Sequence, residues 1–482
     1  MTTTLPLLTE PAVKTPSLTT ERTPFGAWYS LAVLTVVTLI AFVDRNILLL
    51  QAEQIRKAML LSDLQLGLLQ GTAVTGFAAL ATFPLGWLAD RYDRRLVLAG
   101  CALFWSGAVM ACGFAQNYEQ LLLASALVGA GEAGLVPIAY AMIPDMFGER
   151  KRQVANSIFA IASMSATSLA MALCGQVIGL VDTLQPTLPS GLRELDAWRL
   201  GFFAVALPGP LLVVLIATIR LRRTRAAPAA AAVSATATAT ASAAAGAAAG
   251  AAIPGAGQAA AALLPHLRAN RTTFLYFTAG LFCALFGFAA IGSWLPVIYL
   301  RDHGVGPKEL GGALGIIALI SVLIGFPASV YGTRYFRKRI GPGVNMRALW
   351  LTCVFAIAAI GAMTLASSAL QMFLIHGAYM VLLTSALLVY PSTLQALAPR
   401  HLRARTVAIV GMIASAGGAL APPVTGIVSD SMKSLPNGLM LSAAMVSIPA
   451  MALAVLLLAR CEKHYVVTAE ASRVSDANTE AA

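Results

Sequence analysis

Apolar stretches of about 20 residues recur along the whole of this chain, each long enough to cross the hydrocarbon core of a bilayer as a helix. Such stretches cannot all be hidden in one soluble core, and within lipid only a helix satisfies its own backbone hydrogen bonds. The composition agrees: 11% of the residues are charged, where a soluble domain carries about 25%. The chain is therefore expected to be an all-α polytopic membrane protein with twelve spans in two six-helix bundles. The spans are placed at 28–52, 65–88, 96–115, 119–143, 153–181 and 199–219, then at 271–299, 309–331, 346–368, 370–396, 405–429 and 438–460.

This divides the sequence into a polar tail (1–27), a first bundle (28–219), a linker (220–270), a second bundle (271–460) and a tail (461–482). Residues 1–27 are Thr-rich and lack the pattern of a removable signal peptide. The linker is a low-complexity run of Ala, Thr and Gly. Its Pro, Gly and alternating Thr interrupt the helix that alanine favours, so it is expected to be mostly disordered.

Basic residues sort by loop. Arg91, Arg94 and Arg95 follow span 2, Arg150, Lys151 and Arg152 follow span 4, and Arg334, Arg337, Lys338, Arg339 and Arg347 follow span 8. Arg400, Arg403 and Arg405 follow span 10, whereas 116–118 and 369 on the opposite side carry no Lys or Arg and 430–437 only Lys433. By the positive-inside rule both termini are cytoplasmic and the protein sits in the cell membrane. The net charge of +12 is thus a topology signal, and no nucleic-acid partner is expected.

Several function classes fall away. Six cysteines form no CxxC pair and five lie inside spans, which suits small apolar packing better than a metal site. No nucleophile motif, metal cluster or nucleotide loop is present, so an enzyme is not expected, nor any cofactor or ATP drive. The two halves also echo each other: "PDMFGERKRQVANS" before span 5 matches "APRHLRARTVAIV" before span 11, aligning Arg152 with Arg405 and Ala155 with Ala408. "GWLADRYDRR" after span 2 has a degraded copy, "SVYGTRYFRKR", after span 8. Paired repeats of this kind mark secondary transporters whose substrate site lies between the halves.

With these residues in view, the chain resembles the major facilitator superfamily. "GWLADRYDRR" (86–95) is similar to its loop signature G-x-L-x-D-R-x-x-R-R. "VDRNILLLQ", "DLQLGLLQG" and "LVGAGEAGLVPIAYAMIPDMF" resemble the Spinster-like branch, through the first five spans. The chain departs from that branch at Ser125, where an Arg is usual, at "ASMSATSLAMA" (162–172), which lacks the usual Gly-Pro pair of span 5, and at Thr333, where the repeated signature would have Asp. The resemblance implies transport by alternating access.

Asp44, Arg45 and Glu132 are the candidate proton-coupling and substrate residues. Asp44 lies about 24 Å along span 1, and Glu132 stands 13 residues from both Glu119 and Asp145, in the middle of span 4. Ionisable groups at that depth are costly and default to function. With Ser125 replacing the branch's Arg, Arg45 is the basic side chain at depth in the first half, and the simplest arrangement shares it between both carboxylates. A structural ion pair between spans 1 and 4 is the alternative.

Gly86, Asp90, Arg91, Arg94, Arg95, Asp145 and Arg152 form a candidate cytoplasmic gate: Asp90 is expected to accept N–H groups at the start of span 11, by resemblance, and Arg94 to pair with Asp90 or Asp145. A purely topological loop would explain the arginines but not Asp90. Phe282, Phe286, Phe288 and Trp294 of span 7, with His376 of span 10, are candidates for an apolar substrate cavity; ordinary packing is the competing reading for each.

The expected function is proton-coupled transport of an amphiphilic, lipid-like molecule by a monomer in the bilayer. A small organic anion held by Arg45, or a membrane ligand sensor, are the alternatives.

Overall fold

The computed structural model describes residues 25–220 and 256–481. Twelve of its helices are long and apolar enough to cross a membrane. The first bundle holds span 1 (Phe25–Leu50), span 2 (Asp63–Arg91), span 3 (Arg94–Phe114), span 4 (Tyr118–Met146), span 5 (Lys151–Thr187) and span 6 (Ala197–Ala217). The second holds span 7 (Arg271–Arg301), span 8 (Pro307–Ile340), span 9 (Val344–Thr364), span 10 (Ala369–Gln395), span 11 (Arg405–Ser431) and span 12 (Gly438–Ala477). Every expected span is present, and no described residue is in a strand.

Two segments placed outside the spans in the sequence are partly helical. Within the 220–270 linker, residues 221–255 lie outside the described residues, but Ala256–Ala269 form a helix. Its Leu263 packs against Ala398 and Leu402 at the start of span 11, so an apolar ridge outweighs the low-complexity composition. The last helix continues as Gly438–Ala481, well past residue 460. Tyr465 and Ala469 pack into the second bundle, and Asp476 receives Arg403 at 3.1 Å, which ties down most of what reads as a tail.

We call the side carrying Arg91, Arg94, Arg152 and Arg337 the basic face. At the opposite face one apolar core is continuous across the halves: Ile47, Leu69 and Ile178 of the first share it with Trp294, Tyr299, Leu310 and Tyr379 of the second. Toward the basic face this core divides. Leu34, Tyr140 and Phe159 belong to a cluster confined to the first half, and Phe277, Tyr390 and Leu458 to one confined to the second. The halves are thus sealed at one side and separately packed at the other.

Small residues set how closely the halves approach. A Cβ on Gly311 of span 8 would stand 2.7 Å from the Cα of Gly175 in span 5, so this crossing demands glycine on both helices. Spans 2 and 4 are irregular where they approach each other. Span 2 is π-helical over Leu68–Gly76, and span 4 breaks between Glu132 and Leu135. Irregular backbone at membrane depth is tolerated where protein covers it, and π-segments often mark functional positions.

Candidate functional site

Span 1 carries Asp44 into the interior, 3% exposed, with Arg45 half-buried beside it. Asp44 Oδ2 accepts a hydrogen bond from Trp105 Nε1 of span 3 at 3.2 Å. That indole was not among the sequence candidates. It reaches Asp44 because Gly131 of span 4 leaves it room: a Cβ there would lie 2.8 Å from Trp105 Cβ. Glu132 follows directly, at the end of the first segment of span 4, within electrostatic reach of both Asp44 and Arg45. Spans 1, 3 and 4 therefore bring two acids, one guanidinium and one indole together.

Asp44 Oδ1 and Glu132 Oε1 are buried without a hydrogen-bond partner among the described residues. A buried unsatisfied acceptor costs about 1–3 kcal/mol, more when charged. Ser125 is buried 4.0 Å from Cys112 Sγ and supplies no charge.

At the opposite face a polar lock joins the halves. Arg301 at the end of span 7 donates to Glu53, on the short helix Ala52–Ala58, at 3.0 Å and to Asp63 at 2.8 Å. Ser429 of span 11 donates to Asp63 at 2.7 Å. Asp430 accepts the N–H groups of Asp63 and Leu64, at 3.0 and 2.9 Å, filling donors that every helix start leaves open. Burial alone would raise the Glu53 carboxyl. Hydrogen bonds from Arg56 and Arg301 and their charges outweigh it and hold the group below its ordinary value.

None of Glu53, Asp63, Arg301 or Asp430 stood out in the sequence, because each falls at a span end, where charge is normal. One signal was available. Gly426 and Asp430 repeat at the end of span 11 the Gly-x-x-x-Asp spacing of Gly86 and Asp90 at the end of span 2. A Cβ on Gly426 would collide with the backbone of Asp63, so the glycine admits the capped helix start.

At the basic face, ion pairs between described residues stay within one half. Arg94 meets Asp145 at 2.7 Å and Asp90 at 3.9 Å, and also donates to the Ala141 carbonyl. Arg95 meets Asp93 at 2.8 Å, while Arg91 lies over the Trp87 ring. Among the described residues Asp90 has Arg94 as its ion-pair partner and is otherwise exposed, and Gly86 is half-buried. Arg152 is half-buried with its Nε unpartnered.

The aromatic candidates separate. Phe282 and Phe286 are half-buried and stack with centroids 6.3 Å apart, and Phe288 leans on Tyr379. Trp294 is fully enclosed and donates to the Pro422 carbonyl of span 11, a seat in the seal. His376 is buried against the Tyr299 hydroxyl at 3.3 Å, not a backbone group, and its Nε2 has no partner among the described residues. A cavity of about 500 Å³ lies elsewhere, where spans 1 and 5 meet span 8 at mid-depth. Thr35, Leu39, Ser165, Leu169, Ile316 and Leu319 are among its lining residues. None of the aromatic candidates lines it, and Leu39 is about 7.5 Å of helix rise from Asp44.

Comparison with known proteins is consistent with this geometry. The model of the Major Facilitator Superfamily matches residues 34–422. An "MFS-type efflux pump" of Mycolicibacterium smegmatis is 31% identical over 159 residues, 32% of this chain and 37% of that protein. The "Sphingosine-1-phosphate transporter SPNS2" of Danio rerio is 31% identical over 143 residues, 29% of this chain and 28% of that protein. The match thus spans only about a third of these relatives' lengths. Among solved structures, a bacterial homolog of the human lysosomal transporter Spinster, inward-facing and unoccupied, superposes with a TM-score of 0.70 at 22% identity. That superposition covers 94% of this chain and 99% of that one.

Proposed function

We propose that this chain, which belongs to the Major Facilitator Superfamily, is a transporter of Spinster type that moves an amphiphilic, lipid-like molecule by alternating access, coupled to protons. The observation that carries this reading is the divided core: the halves share one core at the opposite face and have separate cores at the basic face. Rocking the two bundles about the Asp44–Glu132 level exchanges which side is sealed.

The orphaned oxygens of Asp44 and Glu132 support the coupling role. Each is an open acceptor for a proton, and rocking would change which side water reaches them from. The apolar cavity beside span 1 suits the alkyl part of an amphiphile, and the sphingosine-1-phosphate carried by the relative named above belongs to that class. The basic face is cytoplasmic in this reading, and closing it would let Asp90 cap the start of span 11 as Asp430 caps span 2 at the opposite face.

Uptake of a labelled lysophospholipid into proteoliposomes, with and without an imposed pH gradient, tests the proposal. Accumulation that collapses with the gradient supports it. Accumulation indifferent to the gradient removes the proton from the mechanism, and selective uptake of small carboxylates would favour the organic-anion alternative.

A further inference from the structure

Two helix starts, one at each face, are capped by carboxylates. At the opposite face Asp430 accepts the N–H of Asp63, the first residue of its helix, at 3.0 Å, and that of Leu64 at 2.9 Å. At the basic face the helix of span 11 begins at Arg400, and the Arg400 N–H donates to Asp476 at 2.8 Å. That carboxylate comes from near the end of the C-terminal helix, not from the end of span 2. Its other oxygen receives Arg403 at 3.1 Å. The helix is well seated: past residue 460 it buries Tyr465, Thr468, Ala469 and Ser472 along one face, and Asp476 continues that face one turn on. Thr468 shares a hydrogen bond of 2.8 Å with Thr273 of span 7, and Glu462 accepts from Trp350 of span 9 at 3.0 Å. All these contacts lie within the second half.

Asp90 stands on the first half, built for the same task. It ends the Gly-x-x-x-Asp unit that Gly426 and Asp430 repeat, and the bare backbone of Gly426 is what lets Asp430 come down on the start of span 2. Here Asp90 is exposed, with Arg94 at 3.9 Å. Docking it on the start of span 11, as closing the basic face does in the reading above, brings it to the N–H that Asp476 already fills. One N–H cannot serve two carboxylates in full, and two like charges at one helix start repel.

Resting on that alternating-access reading, we propose that Asp476 competes with Asp90 for the start of span 11, which makes the C-terminal helix a brake favouring the form open at the basic face. The brake releases when the end of the helix lifts from Arg400 and Arg403 and leaves the N–H to Asp90. It acts on the opening and closing of the halves, whichever molecule is carried.

Distances between spin labels at Leu96, at the start of span 3, and Tyr335, toward the end of span 8, test this in the full-length protein in lipid nanodiscs. Both positions are exposed and lie toward the basic face, on different halves. Asp476→Ala is expected to enlarge the short-distance, closed population about five-fold, the worth of one capping carboxylate. Asp476→Asn keeps an acceptor for the Arg400 N–H but gives up the charge on Arg403, so it should enlarge that population less. Asp90→Ala should shrink it, and adding Asp476→Ala to Asp90→Ala should restore little, because no competitor is left to gain the site. An unchanged population in Asp476→Ala, with Asp90→Ala still shrinking it, overturns the brake and leaves alternating access standing. An equal rise with and without Asp90 overturns the competition. A single distance in every variant overturns the alternating-access reading and the brake with it.

Discussion

Arg301 at the end of span 7 grips Asp63 at the start of span 2 with two parallel hydrogen bonds, Nη1 to Oδ2 at 3.0 Å and Nη2 to Oδ1 at 2.8 Å. The pair crosses between the halves, and Asp430 and Ser429 complete it from span 11. Arg301→Gln would leave Glu53 and Asp63 with Arg56 of their own half and no cation from the second half. A loss of about 2 kcal/mol from the sealed form is expected, a shift of roughly thirty-fold toward opening at this face. Spin-label distances between the ends of spans 5 and 8 report it; an unchanged distance distribution would show that apolar contacts alone hold the seal.

The same lock sets a pH response. Glu53 sits below its ordinary value of 4.5 in the sealed form. Its contribution is therefore complete above about 4.5 and is lost as pH falls through the lowered value. The spin-label distances should stay constant between pH 7 and pH 5 and broaden only in stronger acid, and Glu53→Gln should weaken that acid transition, since Asp63 and Asp430 remain in the lock.

Gly311→Ala is expected to prise spans 5 and 8 apart, because its Cβ would press on Gly175. Overpacking of this kind costs about 1–3 kcal/mol. Since the crossing belongs to the sealed face, the form open at the basic face should lose population and transport should slow several-fold. Wild-type transport by this variant would mean the helices simply shift.

Glu132→Gln keeps the shape of the side chain and removes its titration. It should abolish gradient-driven accumulation and leave equilibrium binding largely intact. Trp105→Phe keeps the ring and removes the hydrogen bond to Asp44, so the pH profile of transport should move without loss of folding. If neither variant changes the pH dependence, the charged centre has no part in coupling.

For orientation, a cysteine at Ser367, in the exposed loop before span 10, should react with an impermeant maleimide on intact cells. One at Arg339, at the end of span 8, should react only after permeabilisation. The reverse pattern would invert the proposed topology. The native cysteines give little background, all being buried except the half-buried Cys283.

Span number, the two-half division and the presence of acids at depth were legible in the sequence, because each follows from local hydropathy or from a residue type that lipid penalises wherever it occurs. Asp44 and Glu132 could be singled out on cost alone. Their partner Trp105 could not, since an indole in a span is ordinary and only the gap left by Gly131 aims it at Asp44. The Arg301–Glu53–Asp63 lock was hidden for a related reason: charges at span ends are cheap, and pairing residues 238 positions apart depends on how the bundles meet. The Gly-x-x-x-Asp spacing was visible at Gly86 and Asp90, and was expected to cap span 11. In this conformation the cap that forms is the one at Asp430 and the start of span 2, at the other face. Sequence determined that the two halves repeat a Gly-x-x-x-Asp span end, at Gly86 and Asp90 and at Gly426 and Asp430. Which end is closed is a matter of rigid-body packing between the halves, and that resides in no local stretch of residues.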